Sequence, residues 1–279
     1  MLTSTAGVTS ILTPDQVNAL LIQPLQNLAI ATRVSTVVNV GTHGLRLPSV
    51  LEDPSAGWVA EGAEIPVSES DLGEIEVVPS KLAGLVVISN ELAADSSPAA
   101  LQVVGDGLVR DIQTKLDTAY FGNLAAPAAK GLASITTTTV NAGAAWTNTD
   151  PFAEAIAAAE TKGVVITNFV ANPADALLLA KVKKQTGSNE PLLGLDATAP
   201  TARTILGVPL LVSPAVPAGT VWAIPQSRSF VAIRNDTSVT TDASAFYTSD
   251  RTAIRATMRV GFGFPQPLGI VKINITAGG

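Results

Sequence analysis

Trp58-Val59-Ala60-Glu61-Gly62-Ala63-Glu64-Ile65-Pro66 lies at the centre of the segment whose reading decides the fold. Around it, between Glu52 and Glu76, come Pro54, Gly57, Gly62, Pro66 and Gly73, together with the acids Glu61, Glu64, Glu69, Asp71, Glu74 and Glu76. Glycine and proline at this density interrupt both helix and central strand, and the acids leave the segment nothing with which to build a core. It is expected to project from the body as a long loop or hairpin. On its N-terminal side, β-branched residues dominate 34–40, Gly41-Thr42-His43-Gly44 punctuates, and Leu45-Arg46-Leu47-Pro48 resumes an extended run, which reads as strand, turn, strand. On its C-terminal side, residues 77–89 read as a strand returning to the body.

The clearest helix follows. Ser97 suits its cap and Pro98 its first turn, and Leu101, Val104, Leu108, Ile112, Leu116 and Tyr120 recur at helical spacing as far as Gly122. Gly105 and Gly107 each cost about 1 kcal/mol relative to alanine inside a helix, so close backbone packing or a bend is expected there. Residues 124–219 have the pattern of an α/β domain: a Thr/Ala-rich loop, a helix over about 150–162, a strand over 164–171, a helix after Asn172-Pro173, and a Gly/Pro-rich stretch. From 221 onward strands dominate. Residues 1–30 read as an arm with one short helix after Thr13-Pro14-Asp15, broken at Pro24.

Composition narrows the function classes. Charged residues make up 14% of the 279-residue chain and apolar residues 47%, against about a quarter charged in ordinary soluble domains. The longest apolar runs fall well short of the roughly 18 residues of a membrane span. Large permanent protein interfaces are depleted in charge and resemble a core cut in half, so a sparsely charged surface points to oligomerisation. The absence of cysteine and the single histidine remove disulfides, thiolate chemistry and clustered-imidazole metal sites. A net charge of −6 without a basic tail argues against tight nucleic-acid binding. The start of the chain has no basic residue ahead of an apolar core, so no secretory signal is read there.

Few motifs carry chemistry. His43, flanked by glycine, reads as a turn residue. Lys181, Lys183 and Lys184 read as solvated charges at a helix end. Gly261-Phe262-Gly263-Phe264 lacks the third glycine of a dinucleotide fingerprint, and neither a phosphate-cradling loop nor a nucleophile elbow occurs. No catalytic residue, cofactor or metal site is assigned. One pattern stands apart: over 251–260 the odd positions read Arg251, Ala253, Arg255, Thr257, Arg259, and the even ones Thr252, Ile254, Ala256, Met258, Val260, a strand with one basic face. In so uncharged a chain, the acidic projection and this basic strand are matching partners on neighbouring subunits; the alternative is an ordinary solvated strand face. The residues expected at such a contact are Trp58, Glu61, Glu64, Glu69, Asp71, Arg251, Arg255 and Arg259.

Residues 58–66, then Val78-Pro79-Ser80-Lys81-Leu82-Ala83-Gly84, then Ile88-Ser89-Asn90-Glu91-Leu92 with Asp95-Ser96, resemble the extended loop and spine-helix start of tailed-phage major capsid proteins of the Hong Kong ninety-seven type. Ile205-Leu206-Gly207-Val208-Pro209-Leu210 and the stretch from Asp250-Arg251 resemble later strands of that family. The resemblance implies an α+β capsid fold. Its expected parts are an arm at 1–30, an extended loop at 45–80, a peripheral domain from 31–44, 81–124 and 223–279 with a spine helix over about 97–122, and an axial domain at 125–222. It further implies self-assembly into hexamers and pentamers of an icosahedral shell around double-stranded DNA, built in the host cytoplasm. Portal, scaffold and decoration proteins are the implied partners, with weak non-specific contact to packaged DNA, no membrane and no cofactor. The alternative is an encapsulin-type compartment shell. The type member cross-links a loop lysine to a strand asparagine with a glutamate's help; those three groups are missing from the matching neighbourhoods here, so a noncovalent lock is expected.

Overall fold

The computed structural model describes residues 29–41, 43–52, 58–59, 62, 71–90, 99–185, 187–193, 203–234 and 238–276. In chain order its elements are α1 (Ile30–Arg33), β1 (Thr36–Val40), β2 (Leu45–Glu52), β3 (Asp71–Val77), β4 (Ser80–Ser89), α2 (Ala99–Phe121), β5 (Thr138–Asn141), α3 (Asp150–Thr161), β6 (Asn168–Ala171), α4 (Pro173–Lys181), β7 (Thr204–Ile205), β8 (Val208–Val212), β9 (Thr220–Ile224), β10 (Phe230–Arg234), β11 (Ser238–Phe246), β12 (Arg251–Gly263) and β13 (Val271–Asn274). No described helix is long and apolar enough to cross a membrane. The arm reading of residues 1–28 and the caps Ser97 and Pro98 lie outside the described residues.

The first sheet runs β1-β10-β12-β11, with β4 also paired to β12. Strand alternation turns Ala256, Met258 and Val260 inward, where they join Ile112, Leu116 and Tyr120, the i, i+4, i+8 stripe of the spine helix α2, in one core. Helix and sheet approach closely at Gly84 on β4, where an added Cβ would collide with the Leu108 side chain. On the helix, a Cβ at Gly107 meets only the Arg110 guanidinium, at 3.8 Å. Close packing is achieved by the strand's glycine, not by Gly107.

Gly261-Phe262-Gly263-Phe264 has a structural role. Phe262 and Phe264 enter the spine-helix core beside Tyr120, with ring centroids 5.2 and 5.7 Å away. Gly261 and Gly263 leave room on the other face of β12 for Val77 and Leu47; a Cβ at Gly261 would lie 2.7 Å from Val77 Cγ1, and one at Gly263 2.7 Å from Val77 Cγ2. Val77 and Leu47 are the root of the antiparallel hairpin β2–β3, whose register runs Leu45↔Val77 to Glu52↔Asp71. The projecting segment is thus a hairpin, and the strand read over 77–89 is interrupted: Val78 and Pro79 separate β3 from β4 because Pro79 has no N–H to give a ladder.

The short helix α1, at the start of the described chain, is held in trans. Four residues cannot sustain a helix alone, and its N-cap Ala29 offers no side-chain acceptor. Asp117 of α2 takes that part: the Ile30 N–H donates to Oδ2 at 3.2 Å and the Ala31 N–H to Oδ1 at 2.9 Å. One turn further on, the Ser35 hydroxyl donates to the Tyr120 hydroxyl at 2.8 Å. Burial raises the Tyr120 phenol to about 12, so it stays neutral.

The second sheet runs β5-β13-β9-β6-β8-β7, over a core of Trp146, Phe152, Phe169, Leu179 and Ile273. Asn172 caps α4 by accepting from Ala174 N–H at 3.0 Å. Buried Asp175 accepts from Trp146 Nε1 at 2.9 Å and from Gly219 N–H at 2.8 Å, tying α4 to two loops. Two expectations are corrected here. The strand read over 164–171 begins only at Asn168: Val164 is buried where a Cβ on Gly269 would touch it, and Val165 is exposed. The division that kept 223–279 with the spine helix departs from the sheet pairing at both ends. Thr220–Ile224 spans its boundary, and Val271–Asn274 pairs with β5 and β9 because Val271 and Ile273 belong to the second core.

Candidate inter-subunit contact surface

Antiparallel partners directly opposite one another share a face of the sheet. On β12 the outward row is Arg251, Ala253, Arg255, Thr257, Arg259; opposite it on β4 stand Ser89, Val87, Leu85, Ala83 and Lys81. On the other side β11 contributes Phe246 opposite Arg251, Asp242 opposite Ala253, and Ser238 opposite Thr257. The Ser238 and Thr257 hydroxyls, 2.9 Å apart, confirm the shared face. Arg251, Arg255 and Lys81 are exposed, and so are Leu85 (59%), Val87 and Phe246. While the inner face is covered by α2, the outer face presents a row of cations beside a row of aliphatic side chains.

The sequence-predicted residues divide as follows. Arg251 and Arg255 project as expected, and among the described residues neither has an ion-pair partner. Arg259 is half-buried and already engaged. Trp58 is fully exposed. Asp71 opens β3, opposite Glu52, while Glu61, Glu64 and Glu69 lie outside the described residues. The hairpin also exposes Glu74 and Glu76; Arg46 sits 3.7 Å from Glu74, both well exposed, a pair worth about 0–1 kcal/mol. Lys81, Leu85, Val87 and Phe246 were missed from sequence. β4 carries apolar residues on both faces, so its period of two shows no polar side; only the β12 register reveals which of them point out. His43 is exposed in the turn between β1 and β2, as read. Among the described residues no group of three or more His, Asp or Glu gathers to hold a metal.

The described chain combines an α+β body, a hairpin with exposed acids and a sheet face that mixes exposed cations with exposed aliphatic side chains. The phage capsid family matches residues 9–275, and the chain belongs to that family. That family is one of structural proteins. A curated relative, the capsid polyprotein of Pseudomonas phage PAJU2, is 24% identical over 178 residues, 60% of this chain; the chain spans about a quarter (26%) of that relative's length. Two solved structures share the fold. One, of Microbacterium phage Oxtober96, is 19% identical, with TM-score 0.71 over 89% of this chain and 91% of that one. Another, the "Capsid of empty GTA particle computed with C5 symmetry", is 17% identical, with TM-score 0.74 over 99% and 95%. The family match does not favour the encapsulin-type alternative.

Proposed function

We propose that this chain is the major capsid protein of a tailed phage, forming hexamers and pentamers of an icosahedral shell that encloses double-stranded DNA. The observation that carries the reading is the pairing of a projecting acidic hairpin with an open, cation-lined sheet face on the same chain. Copies arranged head to tail offer each face a neighbour's hairpin, and contacts that are individually weak sum through multivalency. Assembly takes place in the host cytoplasm, with portal, scaffold and decoration proteins as partners and weak, non-specific contact with the packaged DNA.

Reversing Arg251 and Arg255 to glutamate raises the subunit concentration needed for assembly by about tenfold, the scale of one or two screened charge contacts. Reversing Glu61 and Glu64 to lysine in the same chain restores part of it. Light scattering against subunit concentration checks both, and a double reversal without effect removes the ionic lock. Arg259 is left out of the reversal because it already makes an interaction within the subunit. With the cross-linking groups missing from the matching neighbourhoods, boiling assembled particles in detergent yields a single band near 28.5 kDa; a ladder of multimers contradicts a noncovalent lock.

A further inference from the structure

Two apolar features of this chain stand exposed, with no partner among the described residues. Trp58 is fully exposed, with Val59 beside it also exposed. On the outer sheet face Leu85 and Val87 stand exposed on β4 and Phe246 on β11 across β12 from them, with Arg251 and Arg255 on the strand between. Between Val87 and Asp242 the β12 position is Ala253, a small side chain buried between its taller neighbours. The Trp58 segment carries Glu61 and Glu64 three and six residues on, so an aromatic anchor is followed by charges opposite in sign to those rimming the patch. Tryptophan seated on an apolar floor, with a charged rim, is the composition of an interface hot spot. Charge pairs alone would steer and register the contact.

We propose that Trp58 of a second copy seats on the Leu85–Val87–Phe246 patch, over Ala253, and is the apolar anchor of the contact whose charged rim is Arg251 and Arg255. This rests on the assembly reading above and adds what that reading does not contain: the lock has a salt-resistant centre as well as a salt-sensitive rim. The occupant is a second copy because one chain carries both halves, and the Trp58 of the subunit itself stands in solvent.

Tryptophan fluorescence of the 279-residue chain tests it. Trp146 and Trp222 are already buried in the subunit, so acrylamide quenching of the free subunit reports chiefly Trp58, and Trp58→Phe identifies its share. On assembly the accessible emission shifts to the blue and becomes shielded, and remains shielded in high salt while particles persist. Leu85→Asp, shown to be folded by circular dichroism, raises the concentration needed for assembly by about tenfold or more, the scale of a hot-spot loss. Particles in which Trp58 stays as quenchable as in the free subunit overturn this inference and leave the capsid reading standing. So do particles of Leu85→Asp that form as readily as wild type, or shielding that appears only when a different protein is added. A folded wild-type chain that forms no particles overturns both.

Discussion

Gly131→Ala unfolds the end of the spine helix, at an expected loss of about 3–5 kcal/mol, among the largest single-residue effects. Gly131 lies in ordinary extended backbone, φ −98° and ψ −170°, so alanine is not forbidden by its dihedrals. The obstacle is steric. A Cβ there falls on three carbonyl oxygens of the last turn, those of Ala119, Tyr120 and Gly122, the latter two at 2.5 Å. Backbone oxygens cannot rotate away as a side chain can, so the loop must leave the helix, carrying the buried Leu132 out of the first core. Urea denaturation measures the loss; a variant within about 1 kcal/mol of wild type shows that the close approach is not rigid. By contrast Gly84→Ala meets only the flexible end of Leu108 and costs less.

Asp117→Ala removes the cap that α1 lacks in its own sequence. Two backbone N–H groups, a partly buried one at Ile30 and a buried one at Ala31, lose their acceptor, at a net cost of about 2–3 kcal/mol once relief of the buried carboxylate is allowed for. Asp117→Asn keeps one acceptor and costs less. The pH dependence distinguishes the two effects. Burial raises the Asp117 carboxyl above the ordinary range, and the amide donations from Ala31 and Ile30 only partly oppose this. A carboxyl raised on folding contributes stability that is full at acid pH and is lost as pH rises through its folded value. The stability of Asp117→Asn relative to wild type therefore improves from acid to neutral pH. A relative stability independent of pH would mean that the carboxyl titrates as it does in the unfolded chain.

These two residues mark the limit of what the sequence discloses. The helix over Ala99–Phe121, the hairpin around the Gly/Pro-rich acidic segment and the basic face of β12 were legible because each rests on local periodicity or turn chemistry. Gly131 and Asp117 were not, because their roles depend on packing against residues distant in the chain: Asp117 reaches Ile30 and Ala31, 87 and 86 positions away. The Gly-Phe-Gly-Phe run was weighed as a failed nucleotide motif, whereas alternation across β12 makes it a hairpin seat on one face and an aromatic wedge on the other. The last strand, Val271–Asn274, pairs with β5 and β9 in the second sheet; an apolar alternation says that a strand is half-buried and not which core it joins. For the contact surface, the arginines were legible from their spacing; the aliphatic row beside them needed the β4 register.

The central claim is that this chain builds closed shells from copies of itself. Negative-stain electron microscopy of the purified, folded chain across a range of subunit and salt concentrations tests it most directly. The account predicts closed particles of uniform size that dissociate as salt rises and re-form when it is removed. Isolated monomers under every condition would contradict it.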